Sequence, residues 1–178
     1  MDRPRFAPTP LPVGASFDLF AGAALGESVR FNNPYRLRTQ LGDSAESLSL
    51  AAPYFAAKLG ATLRRSGKVS HGLEFDASFA LRGVPQEVLT PSYLALVHLT
   101  PRWSVRGRAG IPIVVEPDAN VGFEIAAGGV FFGTAALGVT LDIVGSLFFG
   151  AATAETPRTA IPLLSAELGA IYDFEVLP

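Results

Sequence analysis

The sequence predicts an all-β fold, an eight-stranded antiparallel up-and-down transmembrane β-barrel. Three observations carry that prediction. Eight segments alternate apolar and non-apolar residues with a period of two, the pattern of a strand whose two faces meet different surroundings. The composition is oily, 49% apolar and only 17% charged over 178 residues, yet 18 glycines and 14 prolines disfavour long helices. Longer connections alternate with shorter ones, as happens when tight turns gather on one rim of a membrane barrel and loops on the other.

Taken in order, residues 1–14 are proline-rich and lack periodicity, which predicts an extended tail. A barrel over 15–174 and a short C-terminal extension at 175–178 complete the expected organisation. In segment one Phe17, Leu19, Ala21, Ala23 and Leu25 share a parity, with Ser16, Asp18, Gly22 and Gly26 opposite. Segment two sets Phe55, Ala57, Leu59, Ala61 and Leu63 against Lys58, Gly60, Thr62 and Arg64. Segment three is the cleanest, with Leu73, Phe75, Ala77, Phe79 and Leu81 against Glu74, Asp76, Ser78 and Arg82. Segment four is the weakest: Tyr93, Ala95, Val97 and Leu99 share one face, but Leu94 and Leu96 join His98 and Thr100 on the other.

Segment five opposes Trp103, Val105, Ala109, Ile111 and Ile113 to Ser104, Arg106, Arg108 and Gly110. Segment six opposes Val121, Phe123, Ile125, Ala127 and Phe131 to Gly122, Glu124, Ala126 and Gly128. Segment seven opposes Leu137, Val139, Leu141, Ile143, Leu147 and Phe149 to Gly138, Thr140, Asp142 and Ser146. The last segment, 164–174, carries Leu164, Ala166, Leu168, Ala170, Tyr172 and Phe174 against Ser165, Glu167, Gly169 and Asp173, with Ile171 the one exception. The longest connection is 27–47; Gly83 to Pro91 is intermediate, and Ala151 to Ala160 is longer again. Residues 125–141 hold no charge and would reach the lower end of the ~17–25 residues of a spanning helix. Gly128, Gly129, Gly133 and Gly138 argue instead for two strands around a Gly133-Thr134 turn.

Alternation alone does not say which face looks outward, because a soluble barrel with an apolar interior alternates too. The non-apolar face here is mostly Gly, Ala and Ser with sparse, mixed charges, which suits a crowded eight-strand lumen. Aromatic residues on the apolar parity collect at segment ends. Phe17, Trp103, Phe131, Tyr172 and Phe174 would ring one rim; Phe55, Phe79, Tyr93, Phe123 and Phe149 would ring the other. A basic residue facing lipid near the midplane costs ~2–4 kcal/mol. Several such residues would exceed a net stability of ~5–15 kcal/mol. The charges therefore face inward, and Glu74, Asp76, Arg82, Arg106, Arg108, Glu124, Asp142 and Glu167 are expected to form a lumen ion network.

The last segment also resembles the C-terminal assembly signal of bacterial outer-membrane barrels, with Glu167, Gly169, Tyr172 and Phe174 at its four places. The chain as a whole, over about 15–174, resembles the small eight-stranded barrels of the OmpA-transmembrane-domain, OmpX and OmpW-like group. That resemblance implies an outer-membrane location, with the tail and both termini on the periplasmic side. Its implied partners are outer-membrane lipids and the barrel-assembly machinery, and its implied roles are structural, surface-interacting or those of a narrow passage for small or apolar solutes. Met1-Asp2-Arg3-Pro4-Arg5 has no apolar stretch behind it, so a mature form of an exported protein is expected. Nothing after Phe174 suggests a peptidoglycan-binding domain, which leaves the OmpA-type anchor role unsupported.

Other functions are disfavoured. A net charge of −2 argues against nucleic acid, and the lack of cysteine excludes disulfides, thiolate zinc sites and cysteine nucleophiles. Lipid A deacylases of this barrel size use a His-x-Ser pair, but the histidines here read His71-Gly72-Leu73 and His98-Leu99-Thr100. His98 is expected to be hydrogen-bonded in the lumen, His71 to be solvated near a turn. No phosphate loop or metal cluster is evident, so no cofactor and no enzymatic activity are expected. The connection 27–47 interleaves arginines with aromatics, with Arg30, Phe31, Tyr35, Arg36 and Arg38 as candidate contacts for an extracellular partner.

Overall fold

The computed structural model describes residues 15–30, 51–65, 67–82, 86–116, 119–149 and 160–177. They form β1 (Ser16–Arg30), β2 (Ala51–Arg64), β3 (Val69–Ala80), β4 (Glu87–His98), β5 (Trp103–Gly110), β6 (Ile113–Glu116), β7 (Asn120–Phe132), β8 (Leu137–Phe149) and β9 (Ala160–Leu177). Apart from β5 with β6, each strand pairs antiparallel with its chain neighbours, and β9 returns to β1, closing the barrel. β5 and β6 are two lengths of one stave, since both pair with β4 on one side and β7 on the other. Eight antiparallel staves therefore close the wall.

The period-two reading holds because each parity keeps one environment from end to end. Leu73 is 68% exposed and its neighbour Glu74 only 2%. Phe75, Leu141, Ile143 and Leu168 face outward, and Arg106, Arg108, Asp142 and Glu167 face the lumen. Residues 125–141 are not a helix. They belong to β7 and β8, joined at 133–136 with Phe131 opposite Val139.

Several boundaries differ from those expected, for one reason. Pairing of the backbone continues past the point where apolar alternation fades, since polar residues are tolerated near the rims. β1 runs through Glu27 to Arg30, which pairs with Leu163, so the connection begins later than residue 27. β4 starts at Glu87, which places Pro91 inside a strand rather than in a loop. β9 passes Phe174 and ends at Leu177; Glu175 pairs with Asp18 and Leu177 with Phe17 across a register shift. Residues 175–177 thus belong to the wall and are not an extension.

The expected fifth segment is split at Ile111 and Pro112. Proline has no N–H to give to a ladder and interrupts central strands. The stave keeps its parity across the gap, with Pro112 inward and Ile111 and Ile113 outward. On the exterior, Trp103 packs on Phe131 at 4.8 Å and Tyr172 on Phe174 at 4.5 Å, both at the rim of the short turns. Phe55, Phe79, Phe123 and Phe149 lie toward the opposite rim. Tyr93, expected there too, stands well inside β4 opposite Leu73, because that strand begins six residues earlier at Glu87.

Candidate functional site

The lumen is filled in layers, and its middle layer is ionic. Lys58, Glu74, Asp76, Arg106, Arg108, Glu124, Asp142 and Glu167 are all buried. Register brings them to one level: Lys58 lies beside Asp76, and Asp142 beside Glu167. The wall neighbours of Arg106 and Arg108 on β7 are Gly128 and Ala126, whose small side chains leave volume for the guanidinium groups.

Glu74 is the hub. Arg106 Nη2 donates to its Oε2 at 2.5 Å and Arg108 Nη1 to its Oε1 at 2.7 Å. Arg108 also reaches Asp76 Oδ2 at 3.3 Å, and its Nη2 donates to Glu124 Oε1 at 2.9 Å. Ser146 donates to the other Glu124 oxygen at 3.1 Å. Lys58 Nζ pairs with Glu167 Oε2 and lies 3.6 Å from Asp76 and 3.7 Å from Asp142. Tyr54 donates to Glu167 Oε1 at 2.9 Å, and Arg106 Nε approaches Asp142 Oδ1 at 3.4 Å. Burial of a charge is tolerated only with such pairing, because desolvation alone costs several kcal/mol per ion.

An apolar layer lies between this network and the short-turn rim. Phe20, Leu94, Val130 and Ile171 pack together there, flanked by Leu96 and Phe132. Nearer that rim, His98 bonds Ser70 Oγ at 2.8 Å through Nε2 and Ser104 Oγ at 3.0 Å through Nδ1. Arg64 donates to Ser16 Oγ at 3.1 Å at the same end. A second apolar cluster, Val88, Val114 and Phe148 with Leu163, lies on the opposite side of the network. The two histidines differ in setting: His71 sits on the outer face, bonded to the Tyr93 hydroxyl at 2.5 Å. His98 Nδ1 meets a serine, so the Ser70–His98 pair lacks the carboxylate that orients an imidazole base in a hydrolytic triad.

Glu74, Asp76, Arg106, Arg108, Glu124, Asp142 and Glu167 are thus brought together. Arg82, expected with them, is exposed beyond the end of β3 and takes no part in these ion pairs. It shares the inward parity of β3 but lies past the last paired residue, at the rim. Lys58 supplies the third cation instead. The apolar layer is the feature least legible in the sequence, although Ile171 and Leu94 break their segments' alternation. Of the terminal signal, Glu167 is committed to the network, while Tyr172 and Phe174 lie outside on the wall. Gly169 sits where an added Cβ would come within 2.6 Å of Ala23 O and 2.8 Å of Thr140 Oγ1. Of the candidate loop contacts, Arg30 ends β1, and Phe31, Tyr35, Arg36 and Arg38 lie outside the described residues.

The barrel is similar in fold to known structures. Ail, the attachment invasion locus protein of Yersinia pestis, aligns at a TM-score of 0.56 with 11% identity, over 90% of this chain and 99% of that one. Neisserial surface protein A aligns at 0.51 with 12% identity, over 90% and 99%. The outer membrane protein AlkL aligns at 0.51 with 10% identity, over 100% and 99%. The chain has the fold of the small eight-stranded outer-membrane barrels. No protein-family model matches the sequence, and no curated protein matches it either.

Proposed function

We propose that this chain is a non-enzymatic barrel of the bacterial outer membrane with a plugged lumen, acting through the loops of its long-connection rim. The observation that carries the proposal is the filled interior. Eight buried charged side chains are cross-bonded between two apolar clusters, and eight staves leave little room beyond side chains. The apolar, aromatic-banded exterior supplies the membrane-facing half of the reading, with lipid as the partner of the wall. The terminal strand, with Tyr172 and Phe174 outside, would be the part met by the assembly machinery.

Two neighbours support a surface role by their names, one an attachment protein and one a surface protein. Ail has also been solved with the heparin analogue sucrose octasulfate. By analogy, contacts of this chain would be made by the 31–50 connection. The test is conductance of the refolded barrel in planar bilayers together with replacement of 31–50 by a tight turn. A silent parent and a folded variant that no longer binds host or envelope surfaces are expected. Steady conductance by the parent would replace this reading with that of a narrow passage, and undiminished binding by the variant would remove the loop from it.

A further inference from the structure

The short-turn rim divides its charge by arc. The turns after β2 and β4 carry Arg65, Lys68 and Arg102, all exposed and none in an ion pair among the described residues. The ends of β9 and β1 carry Asp173, Glu175 and Asp18, and the turn at 133–136 carries no charge. Trp103, on the basic arc, is 54% exposed on the wall, where an indole marks the level of lipid headgroups.

On the same side of the barrel, a groove of about 700 Å³ indents the exterior. It lies where β4 carries Pro91 and the next stave breaks at Ile111. Its lining mixes the large exposed side chains of Leu59, Leu73, Phe75 and Tyr93 with the short ones of Ala61 and Ala109. Leu73 and Phe75 follow Lys68 by five and seven residues, ~17–24 Å along a strand and ~13–18 Å of depth at the usual tilt. That is the reach of one leaflet, ~15 Å of a ~30 Å hydrocarbon core. Between the basic arc and the groove stands His71, whose Nδ1 is bonded to the Tyr93 hydroxyl at 2.5 Å. With that hydroxyl donating, Nε2 keeps the ring proton and offers a donor on the far side of the imidazole.

We infer that this arc seats one anionic glycerophospholipid of the leaflet on the short-turn side. Its phosphate is held by Arg65, Lys68 and the His71 Nε2 proton, and one of its acyl chains lies in the groove. Unpaired cations at the headgroup level select an anionic lipid. The groove continues the apolar wall, so the chain that fills it comes from the same bilayer. A soluble anion would meet the cations and leave the groove empty, and a zwitterionic lipid would fill the groove but gain less from the cations. The inference rests on the reading of the wall as lipid-facing, and the experiment separates the two.

The test is amide-shift titration of the full-length refolded protein in phosphatidylcholine nanodiscs, with phosphatidylglycerol at increasing fractions as the probe. Saturable shifts are expected at Arg65, Lys68, His71 and Tyr93 and not at the 133–136 turn. Glycerol phosphate, a headgroup without chains, should produce none. Arg65→Gln and Lys68→Gln should each weaken the preference about fivefold, the scale of one basic residue beside a charged lipid surface. Ala109→Phe, which fills the groove and leaves the cations in place, should weaken it too, whereas Arg82→Gln at the opposite rim should not. The inference is overturned if phosphatidylglycerol gives no saturable shift, if the 133–136 turn shifts equally, or if glycerol phosphate reproduces the effect. It is also overturned if the preference survives Ala109→Phe and both charge substitutions. In the same nanodiscs, a lipid spin-labelled on its acyl chain should broaden the signals of Leu141 and Leu168. Without that broadening the lipid-facing reading fails and the inference falls with it; broadening without a phosphatidylglycerol preference removes the inference alone. The parent titrations decide the question even where a variant fails to refold.

Discussion

Parity points both Arg82 and Arg106 toward the lumen, yet of the two only Arg106 is buried. Parity fixes the face of a strand residue, while its height depends on where pairing ends, and that is weakly marked in the residues themselves. The same limit explains Lys58, whose inward face was legible but whose meeting with Glu167, far away in the chain, follows from barrel closure. The two arginines therefore make a paired prediction. Arg106→Ala takes from Glu74 one of its two arginines and from Asp142 its nearer cation, and should cost ~3–5 kcal/mol, because buried negative charge is left under-compensated. Arg82→Ala at the exposed rim should stay within about 0.5 kcal/mol. Denaturant unfolding in detergent micelles measures both, and equal costs would mean that the network does not hold the barrel as its geometry implies.

Between strands, the close approach of neighbouring staves depends on glycines that alternation could not rank. An added Cβ at Gly128 would lie 2.1 Å from Asp142 Oδ1 and 2.2 Å from Leu141 O. At Gly107, on the outward parity of β5, nothing lies within 4 Å. Gly128→Ala must push β7 from β8 or displace Asp142 from Arg106, with an overpacking cost of ~1–3 kcal/mol. Gly107→Ala should be close to neutral in the same unfolding measurement. Gly128 stands opposite the apolar parity of its segment and Gly107 on the outward parity of its own, and the sequence contains no sign of which one is crowded. The apolar layer teaches the converse. Leu94 and Ile171 interrupted otherwise regular patterns, and with Phe20 and Val130 they form a lumen plug. Exceptions to the period were thus informative as a set, once closure brought four strands together. Pro112 does not by itself mark the break, because the outward alternation of Ile111 and Ile113 continues across it.

The whole molecule is inverted relative to a soluble barrel: charged side chains form its centre and leucines its surface. Such an exterior is stable only where the surroundings are themselves apolar, so its energetics should change with depth. Leu141 lies near the middle of β8, opposite Leu168, and is 58% exposed. Val176 is comparably exposed but lies at the rim of the short turns, beyond Phe174. Arginine facing lipid costs ~2–4 kcal/mol at the bilayer midplane and falls to ~0–1 kcal/mol near the interfaces. Leu141→Arg should therefore destabilise the barrel by the larger amount and Val176→Arg by the smaller, in unfolding from lipid vesicles. Both sites are open, so loss of packing cannot account for such a difference. A flat response would mean that the exposed face does not sit in a bilayer, and the transmembrane reading would fail with it.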